Sequence, residues 1–212
     1  MSILLRVVIL VSLCACASSA DATLYTAKAA WTGDWADANT WTNAGGWPDD
    51  GDDAEITNDG SAVILSATSS NLNSFVASKT LVFTNWTTAL RATTVSVLSG
   101  GVLTCAGPFT NYLMCIRVYI VCTNLLVASG GSINVNGKGY AGGLSAGQVL
   151  GSGPGGGLSS YAGGAGSYGG RGGSYYAASG PTYGEADKPI GPGSGGGYSI
   201  DIAGGPGGAG AG

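Results

Sequence analysis

The chain has 212 residues, a formal net charge of −4 and no histidine, and only 9% of its residues are charged. The lack of histidine excludes histidine-based catalytic triads and histidine metal sites, and the lack of a basic cluster predicts no nucleic-acid partner. Glycine accounts for 40 residues, and 29 of these follow Lys138. The length therefore suits one domain with an appendage of different composition.

The first 20 residues have the pattern of a secretory signal peptide. Arg6 is the only charged residue, Val7–Leu13 form an apolar core, and small residues lead to a predicted cleavage site after Ala20. The apolar run is shorter than the ~20 residues that a spanning helix needs, so we expect no transmembrane span in the mature chain. Lipidation at Cys16 is a second interpretation. Both predict a protein that is exported and either secreted or held at the cell surface.

Residues 21–60 combine tryptophans with turn-forming Asn, Asp and Gly residues. Large rings can seal the end of a small core, which predicts an N-terminal cap on a stack of β-strands. The same rings, if exposed, would form a platform for sugar stacking and make the chain a carbohydrate-binding module. The tryptophans concerned are Trp31, Trp35, Trp41 and Trp47.

Five carboxylates crowd seven residues of the same segment. Such a cluster repels itself, and a hard cation such as calcium would relieve the repulsion. The spacing does not match an EF-hand loop, and a solvated acidic turn is the alternative interpretation. No other cofactor is predicted. The candidate calcium ligands are Asp49, Asp50, Asp52, Asp53 and Glu55.

Two motifs in this segment follow one another: W-x-G-x-W-x-(D/N)-x-x-x-W from Trp31 to Trp41, and P-x-x-x-D-x-A-x-I from Pro48 to Ile56. Together they resemble the opening of β-helical surface proteins of the autotransporter and adhesin type. The resemblance implies a right-handed parallel β-helix with a structural or adhesive role, and it brings no catalytic residues with it. It rests on Trp31, Gly33, Trp35, Asp37, Trp41, Pro48, Asp52, Ala54 and Ile56.

Residues 61–137 are predicted to form an all-β unit with short turns, because their apolar runs are rich in Val, Ile, Leu and Thr. A strand–Ser-Gly-Gly–strand pattern at 95–105 recurs at 125–135. Stacked copies would form a short solenoid, and hairpins packed into a β-sandwich are the alternative. The predicted strands are Ala62–Leu65, Thr80–Thr84, Thr93–Leu98, Val102–Cys105, Ile116–Cys122, Leu125–Ala128 and Ser132–Val135.

Residues 138–212 form a Gly/Tyr-rich extension. Ordering glycine costs much backbone entropy, which favours a flexible tract. Spaced tyrosines could instead lay the tract on the β-stack, and the segment resembles Gly/Tyr-rich loops that extend from bacterial β-helical surface proteins, which is the interpretation we favour. We also expect the chain to be a piece of a longer protein. Cys105 and Cys122 have the pattern of buried apolar residues, and a Cys115–Cys122 disulfide is left open.

The sequence as a whole favours an exported, non-enzymatic structural or adhesive protein. Its expected partner is a surface glycan or a component of the cell envelope. A carbohydrate-binding module is the second hypothesis, and a polysaccharide lyase-like β-helix enzyme is the third. Against the enzyme, residues 61–137 contain no Asp or Glu that could act as a general acid or base.

Overall fold

The computed structural model describes residues 22–43, 45–110, 116–144, 149–185, 187, 191–200 and 206–210. The predicted signal peptide, Cys16 and Cys115 lie outside these residues. The described chain is almost all β, with ten strands and a single 3₁₀ turn at Ala38–Thr40. The residues from Leu24 to Ile133 hold all ten strands.

The strands form two five-stranded sheets, and consecutive strands alternate between them. Every pair of neighbouring strands is parallel, which differs from the antiparallel hairpins of the β-sandwich alternative. The first sheet contains β1 (Leu24–Thr26), β3 (Asp53–Ile56), β5 (Leu72–Ala77), β7 (Leu90–Val97) and β9 (Ile120–Val127). The second sheet contains β2 (Thr32–Asp34), β4 (Ala62–Leu65), β6 (Thr80–Phe83), β8 (Val102–Cys105) and β10 (Ser132–Ile133).

The sequence repeat coincides with the register of the sheets. Val95 pairs with Leu125 in the first sheet, and Leu103 pairs with Ile133 in the second. Each Ser-Gly-Gly turn therefore joins the two sheets and does not close a hairpin. Gly100 and Gly130 have φ values of 83° and 81°, a conformation that glycine adopts without steric cost.

The core lies between the sheets. In β3, β4, β6 and β8 every second residue is buried, as expected for strands with one face inward. The core continues upstream of residue 60, because β1, β2 and β3 pair with later strands and contribute to both sheets. Its largest fully buried side chains include Trp41, Phe75, Phe83, Leu90 and Leu103.

Several predicted strand boundaries differ from the structure: Thr93–Leu98 lies within β7 except for its last residue, and Thr80–Thr84 and Ser132–Val135 extend one and two residues past β6 and β10. One predicted break is wrong. The sequence predicted a break between Ile116–Cys122 and Leu125–Ala128, whereas β9 runs without interruption from Ile120 to Val127. The reason is its partner: β7 is also eight residues long and pairs with β9 from Leu90 to Val97. Two other predicted strands, Ala62–Leu65 and Val102–Cys105, are found with the same bounds.

The described part of the glycine-rich tract is ordered by hydrogen bonds between separate segments. The amides of Gly195, Gly196 and Gly197 donate to the carbonyl oxygens of Ser152, Gly208 and Gly164 at 3.0, 2.8 and 2.8 Å. Three successive residues that bond to three different neighbours indicate about three residues per turn, as in polyproline II. We call the described residues from 139 to 210 the glycine bundle.

At several positions the glycine bundle packs so closely that no side chain larger than hydrogen fits. A Cβ atom on Gly195 would overlap the carbonyl oxygen of Ala141, and one on Gly197 would overlap that of Leu158. Aromatic pairs hold the bundle at its margins, where Tyr140 packs on Phe109 with ring centroids 4.8 Å apart. Tyr168 and Tyr183 pair in the same way at 4.9 Å. The flexible tract that composition favoured is therefore a hydrogen-bonded unit.

Candidate functional site

The predicted calcium ligands each accept hydrogen bonds from the chain itself. Asp53 Oδ1 accepts from the Ser74 hydroxyl at 2.6 Å and from the Asn73 amide group at 2.9 Å. Glu55 Oε1 accepts from the Thr26 hydroxyl at 2.7 Å. The remaining acceptors are Asp49 (from Ser70 and the Asp50 amide), Asp50 (from the Asn71 amide) and Asp52 (from the Thr23 and Asp49 amides).

These carboxylates do not converge on a common point. Among the residues that the structure describes, no group of three or more His, Cys, Asp or Glu side chains could hold a metal ion. Most of these hydrogen bonds join residues about 20 to 30 positions apart in sequence, so each connects a strand or turn to the one stacked next to it. The five acids predicted as calcium ligands therefore act as links between successive strands and turns.

The structure separates the four tryptophans that the sequence grouped as one glycan platform. Trp35 and Trp41 are buried in the core, whereas Trp31 and Trp47 are 41% and 48% exposed. A buried ring offers no face to a sugar, so Trp35 and Trp41 are excluded from the platform in this conformation. Trp31 and Trp47 are accessible.

Trp41 closes the first turn of the stack. Its indole Nε1 donates to the carbonyl oxygen of Trp35 at 2.9 Å, and the two rings meet edge to face at 5.0 Å. The segment around Trp41 also pairs antiparallel with Ala27, and Thr42 N donates to Thr26 O at 2.9 Å. This segment therefore covers the outer edge of β1, which is otherwise open to another strand.

The opposite end of the stack is open within the described residues. The terminal strand β9 is exposed along most of its length, and Leu125, Leu126 and Val127 are among the exposed large apolar residues. Ile133 on β10 is exposed as well. The two ends thus differ: aromatic rings close the first, and aliphatic side chains line the second.

Charge is distributed unevenly along the same axis. The acids between residues 22 and 138 all precede Ser61, in the part of the chain that contains β1, β2 and β3. Four of the five cations in the same range follow it, at Lys79, Arg91, Arg117 and Lys138. One ion pair crosses between the two groups, with Lys79 Nζ 2.7 Å from Asp59 Oδ1. The Lys79 charge and hydrogen bond hold the pKa of the Asp59 carboxyl below its usual value.

Arg117 lies between two aromatic rings. Its guanidinium carbon is 4.5 Å from the Trp86 ring centre and 4.3 Å from the Tyr119 ring centre. Its Nε also donates to the Trp86 carbonyl oxygen at 2.8 Å. This stacking anchors the connection between β8 and β9 to the turn that follows β6. It also accounts for a cation that has no acidic residue near it in sequence.

Cys105 and Cys122 are both free thiols. Cys105 is buried in the core, and burial raises the pKa of its thiol because the thiolate would lose its hydration. Cys122 is partly buried against the same core. The predicted buried apolar role is confirmed for Cys105, whereas Cys122 is only partly buried. The Cys115–Cys122 disulfide left open by the sequence involves Cys115, which lies outside the described residues.

The glycine bundle carries an exposed group of tyrosines that the sequence analysis did not single out. Tyr161, Tyr175 and Tyr176 are between 64% and 82% exposed. The Tyr175 and Tyr176 rings meet edge to face at 4.5 Å, and the Tyr161 ring lies 6.3 Å from that of Tyr176. With Ala162 they line a cleft of about 390 Å³, which we call the tyrosine cleft. The sequence alone does not distinguish these exposed tyrosines from Tyr168 and Tyr183, whose rings pack against each other. The difference depends on the fold.

A second cleft of about 470 Å³ adjoins the tyrosine cleft and shares Tyr175 with it. We call it the glycine cleft, because glycines form most of its wall. Ser174 and Ser199 bring hydroxyl groups to this wall. Both clefts fall within the size range of small-molecule sites. None of the described residues that line them is charged.

Comparisons with known proteins give no family for this chain. No protein-family model matches it, and no curated protein or solved structure matches it either. In the described part of the chain, no helix is both long and apolar enough to cross a membrane.

Proposed function

We propose that the protein is an exported, non-enzymatic structural or adhesive component of a cell surface or extracellular layer, built on a short right-handed parallel β-helix. The observation that carries the proposal is the strand order. Strands alternate between two sheets, and each pairs in parallel with the strand two positions later. A solenoid of this kind is a rigid scaffold that presents side chains along its length.

The β-helix proposal follows from the path of the chain between the two sheets. A strand that leaves one sheet, enters the other and returns beside its starting point completes one coil. Parallel crossover connections are right-handed in nearly all known cases, which gives the coil its expected hand. The offset of 30 residues between Leu90 and Ile120 is the longest coil in the first sheet and contains the connection from β8 to β9.

The non-enzymatic part of the proposal rests on where the carboxylates are used. The sequence from 61 to 137 has no Asp or Glu, and the five clustered acids upstream bond to neighbouring turns. A polysaccharide lyase or hydrolase of β-helical type needs free acidic or basic groups facing a groove. A role as scaffold or adhesive requires none.

Export and adhesion are tested together. The full chain is produced in a bacterial host with residues 1–20 intact, and the mass of the exported product is measured. We expect a product that begins at Asp21 and that, when coated on beads, retains cell-envelope or extracellular polysaccharide. Retention in the cytoplasm with Met1 in place, or turnover of an acidic polysaccharide by the purified protein, would contradict the proposal.

A carbohydrate-binding module that uses tryptophan is the second candidate, and the exposure of Trp31 and Trp47 favours it. Its test is glycan-array binding by the Trp31→Ala/Trp47→Ala double variant. Under this hypothesis the double variant loses binding and keeps its thermal unfolding midpoint, because both side chains lie at the surface. Unchanged binding would remove the candidate.

A further inference from the structure

We propose that the tyrosine cleft, together with the adjoining glycine cleft, binds a neutral saccharide. The inference rests on the adhesive function proposed above and names the ligand class and the site. Its first support is the exposure of three neighbouring rings. Tyr175 and Tyr176 meet edge to face, the Tyr161 ring lies tilted against that of Tyr176, and most of each side chain faces solvent.

These rings are not needed to hold the glycine bundle together. Tyr140, Tyr168 and Tyr183 pack against aromatic partners, and Tyr140 is nearly fully buried. The three cleft tyrosines instead contact one another at the surface, an arrangement that exposes apolar ring area to water. Contiguous exposed aromatic area of this kind marks binding sites more often than isolated exposed rings do.

The two clefts differ in chemistry, and a sugar matches both. The tyrosine cleft offers ring faces and edges, which suit the C–H face of a pyranose. The glycine cleft offers backbone groups and the hydroxyls of Ser174 and Ser199, which suit the hydroxyls of a sugar. Tyr175 belongs to both, so one sugar residue can stack on it while its neighbour along the oligosaccharide reaches the hydroxyls.

Hydrogen bonds hold the hydroxyl groups in place. Ser199 Oγ donates to the Tyr161 carbonyl oxygen at 2.6 Å, which leaves its lone pairs as acceptors for a ligand. Ser174 Oγ donates to Ser179 Oγ at 3.2 Å and accepts from the Ser179 amide at 2.8 Å. Neither hydroxyl therefore needs to reorganise greatly before binding, which lowers the entropic cost of association.

The absence of charge among the lining residues that the structure describes favours a neutral ligand. An acidic oligosaccharide would leave water for a cleft that supplies no cation among its described lining residues, and desolvation would oppose its binding. A proline-rich peptide is the main competitor, because it also docks on exposed tyrosines. A saccharide is favoured because the glycine cleft supplies hydroxyls for a ligand rich in both donors and acceptors.

The test is titration calorimetry of the exported full-length product against cellohexaose, maltohexaose and mannohexaose. Hexagalacturonate and decaproline serve as the acidic and peptide probes. The variants are Tyr175→Ala, Tyr175→Phe and Tyr175→Ala/Tyr176→Ala. Trp31→Ala/Trp47→Ala is the control with aromatic rings removed elsewhere. Thermal unfolding midpoints establish that each variant is folded, as expected for side chains this exposed.

We expect at least one neutral hexasaccharide to bind. Tyr175→Ala should weaken it about tenfold, the loss of one good aromatic contact, while Tyr175→Phe stays within about twofold because the ring is kept. The proposal is overturned if no neutral saccharide binds, if hexagalacturonate or decaproline binds more tightly, or if only the tryptophan variant loses binding. None of these results changes the outcome of the export and bead-retention measurements, so the cleft proposal can fail while the proposed function stands.

Discussion

Gly195 lies where two segments of the glycine bundle approach closely. It donates to Ser152 O and accepts from the Gly157 amide, and a Cβ atom there would overlap the Ala141 carbonyl oxygen. No side-chain rotation can relieve an overlap with backbone. A methyl group at this position must therefore separate two hydrogen-bonded segments.

We expect Gly195→Ala to destabilise the bundle by about 3 kcal/mol, the upper range for overpacking. Gly170→Ala is the matched control, because nothing lies within 4 Å of its Cβ position and its φ is not positive. It should change stability by less than about 1 kcal/mol, and in the stabilising direction. Hydrogen exchange of the amides at 193–198 and denaturant midpoints measure both. Equal effects would contradict the packing described for the bundle.

Cys105 links protein stability to alkaline pH. Its folded-state pKa is raised by burial, so the native protein holds the thiol proton more tightly than the unfolded chain does. The stability that this provides is complete below the unfolded pKa, near 9, and is lost as the pH rises through the folded value. Cys105→Val removes the titration and keeps similar volume, since Val135 occupies the matching place in the repeat.

The measurement is the denaturant midpoint of both proteins from about pH 8 to about pH 10.5. The wild type should lose more stability than Cys105→Val across this range, while below pH 8 the difference between them stays constant. Parallel curves over the whole range would show that the thiol does not titrate in the native state or that its pKa is unshifted.

Val97 and Val127 show how the number of neighbouring strands sets what a side chain contributes to the free energy of unfolding. The two valines pair in register, but Val97 on β7 has strands on both sides and is fully buried. Val127 on β9 has one neighbouring strand and is 43% exposed. The same truncation at both positions therefore measures what a second neighbouring strand contributes.

Val97→Ala should cost about 2 kcal/mol, because it removes buried methyl groups and leaves a cavity. Val127→Ala should cost less than about 1 kcal/mol, because its side chain already contacts water. Guanidinium unfolding midpoints of the two variants provide the comparison. Similar losses would mean that β9 is covered in solution by another strand or chain.

The sequence predicted β4 and β8, which have clean period-two patterns, but it missed β3, which has the same pattern and was assigned to the predicted cap. β4 and β8 alternate without interruption and were found with correct bounds. β5 was missed because Leu72 and Phe75 are three residues apart, and its pairing with β7 omits Asn73. β1 and β2 are three residues long, and Gly33 gives β2 no apolar signal. Their strand state depends on the partners β3 and β4.

The candidate sites depended even more on contacts that are distant in sequence. Local spacing grouped five acids, whereas the fold gives each of them donors elsewhere in the chain. Aromatic content grouped four tryptophans, whereas packing buries two of them. The tyrosine cleft and the glycine bundle depend on segments that are tens of residues apart. For the bundle, composition alone favoured disorder because the entropy of glycine is local and its compensating hydrogen bonds are not.

On the scale of the whole molecule, two kinds of stabilisation lie side by side. Between the sheets, a continuous cluster of buried side chains runs from Ala27 to Ile116. In the glycine bundle, the buried apolar residues are few, with Tyr140, Ala141 and Ala177 among them. Backbone hydrogen bonds between segments replace apolar burial there. The two parts should therefore respond differently to temperature.

Calorimetry of the full-length mature chain tests this difference through the heat capacity of unfolding. Exposure of apolar surface raises the heat capacity and exposure of peptide groups lowers it, so the bundle should contribute little. We expect a value per residue below the ~12–15 cal/mol/K of ordinary globular proteins. A value within that range would mean that unfolding of the bundle exposes much more apolar surface than its packing indicates.

A small heat-capacity change has a consequence for cold conditions. The free energy of unfolding then curves only weakly with temperature, and the hydrogen bonds that order the bundle do not depend on the hydrophobic effect, which weakens on cooling. Close packing of glycine backbones thus gives this part of the molecule a stability that persists towards the freezing point. The aliphatic stack beside it is the part that cooling loosens first.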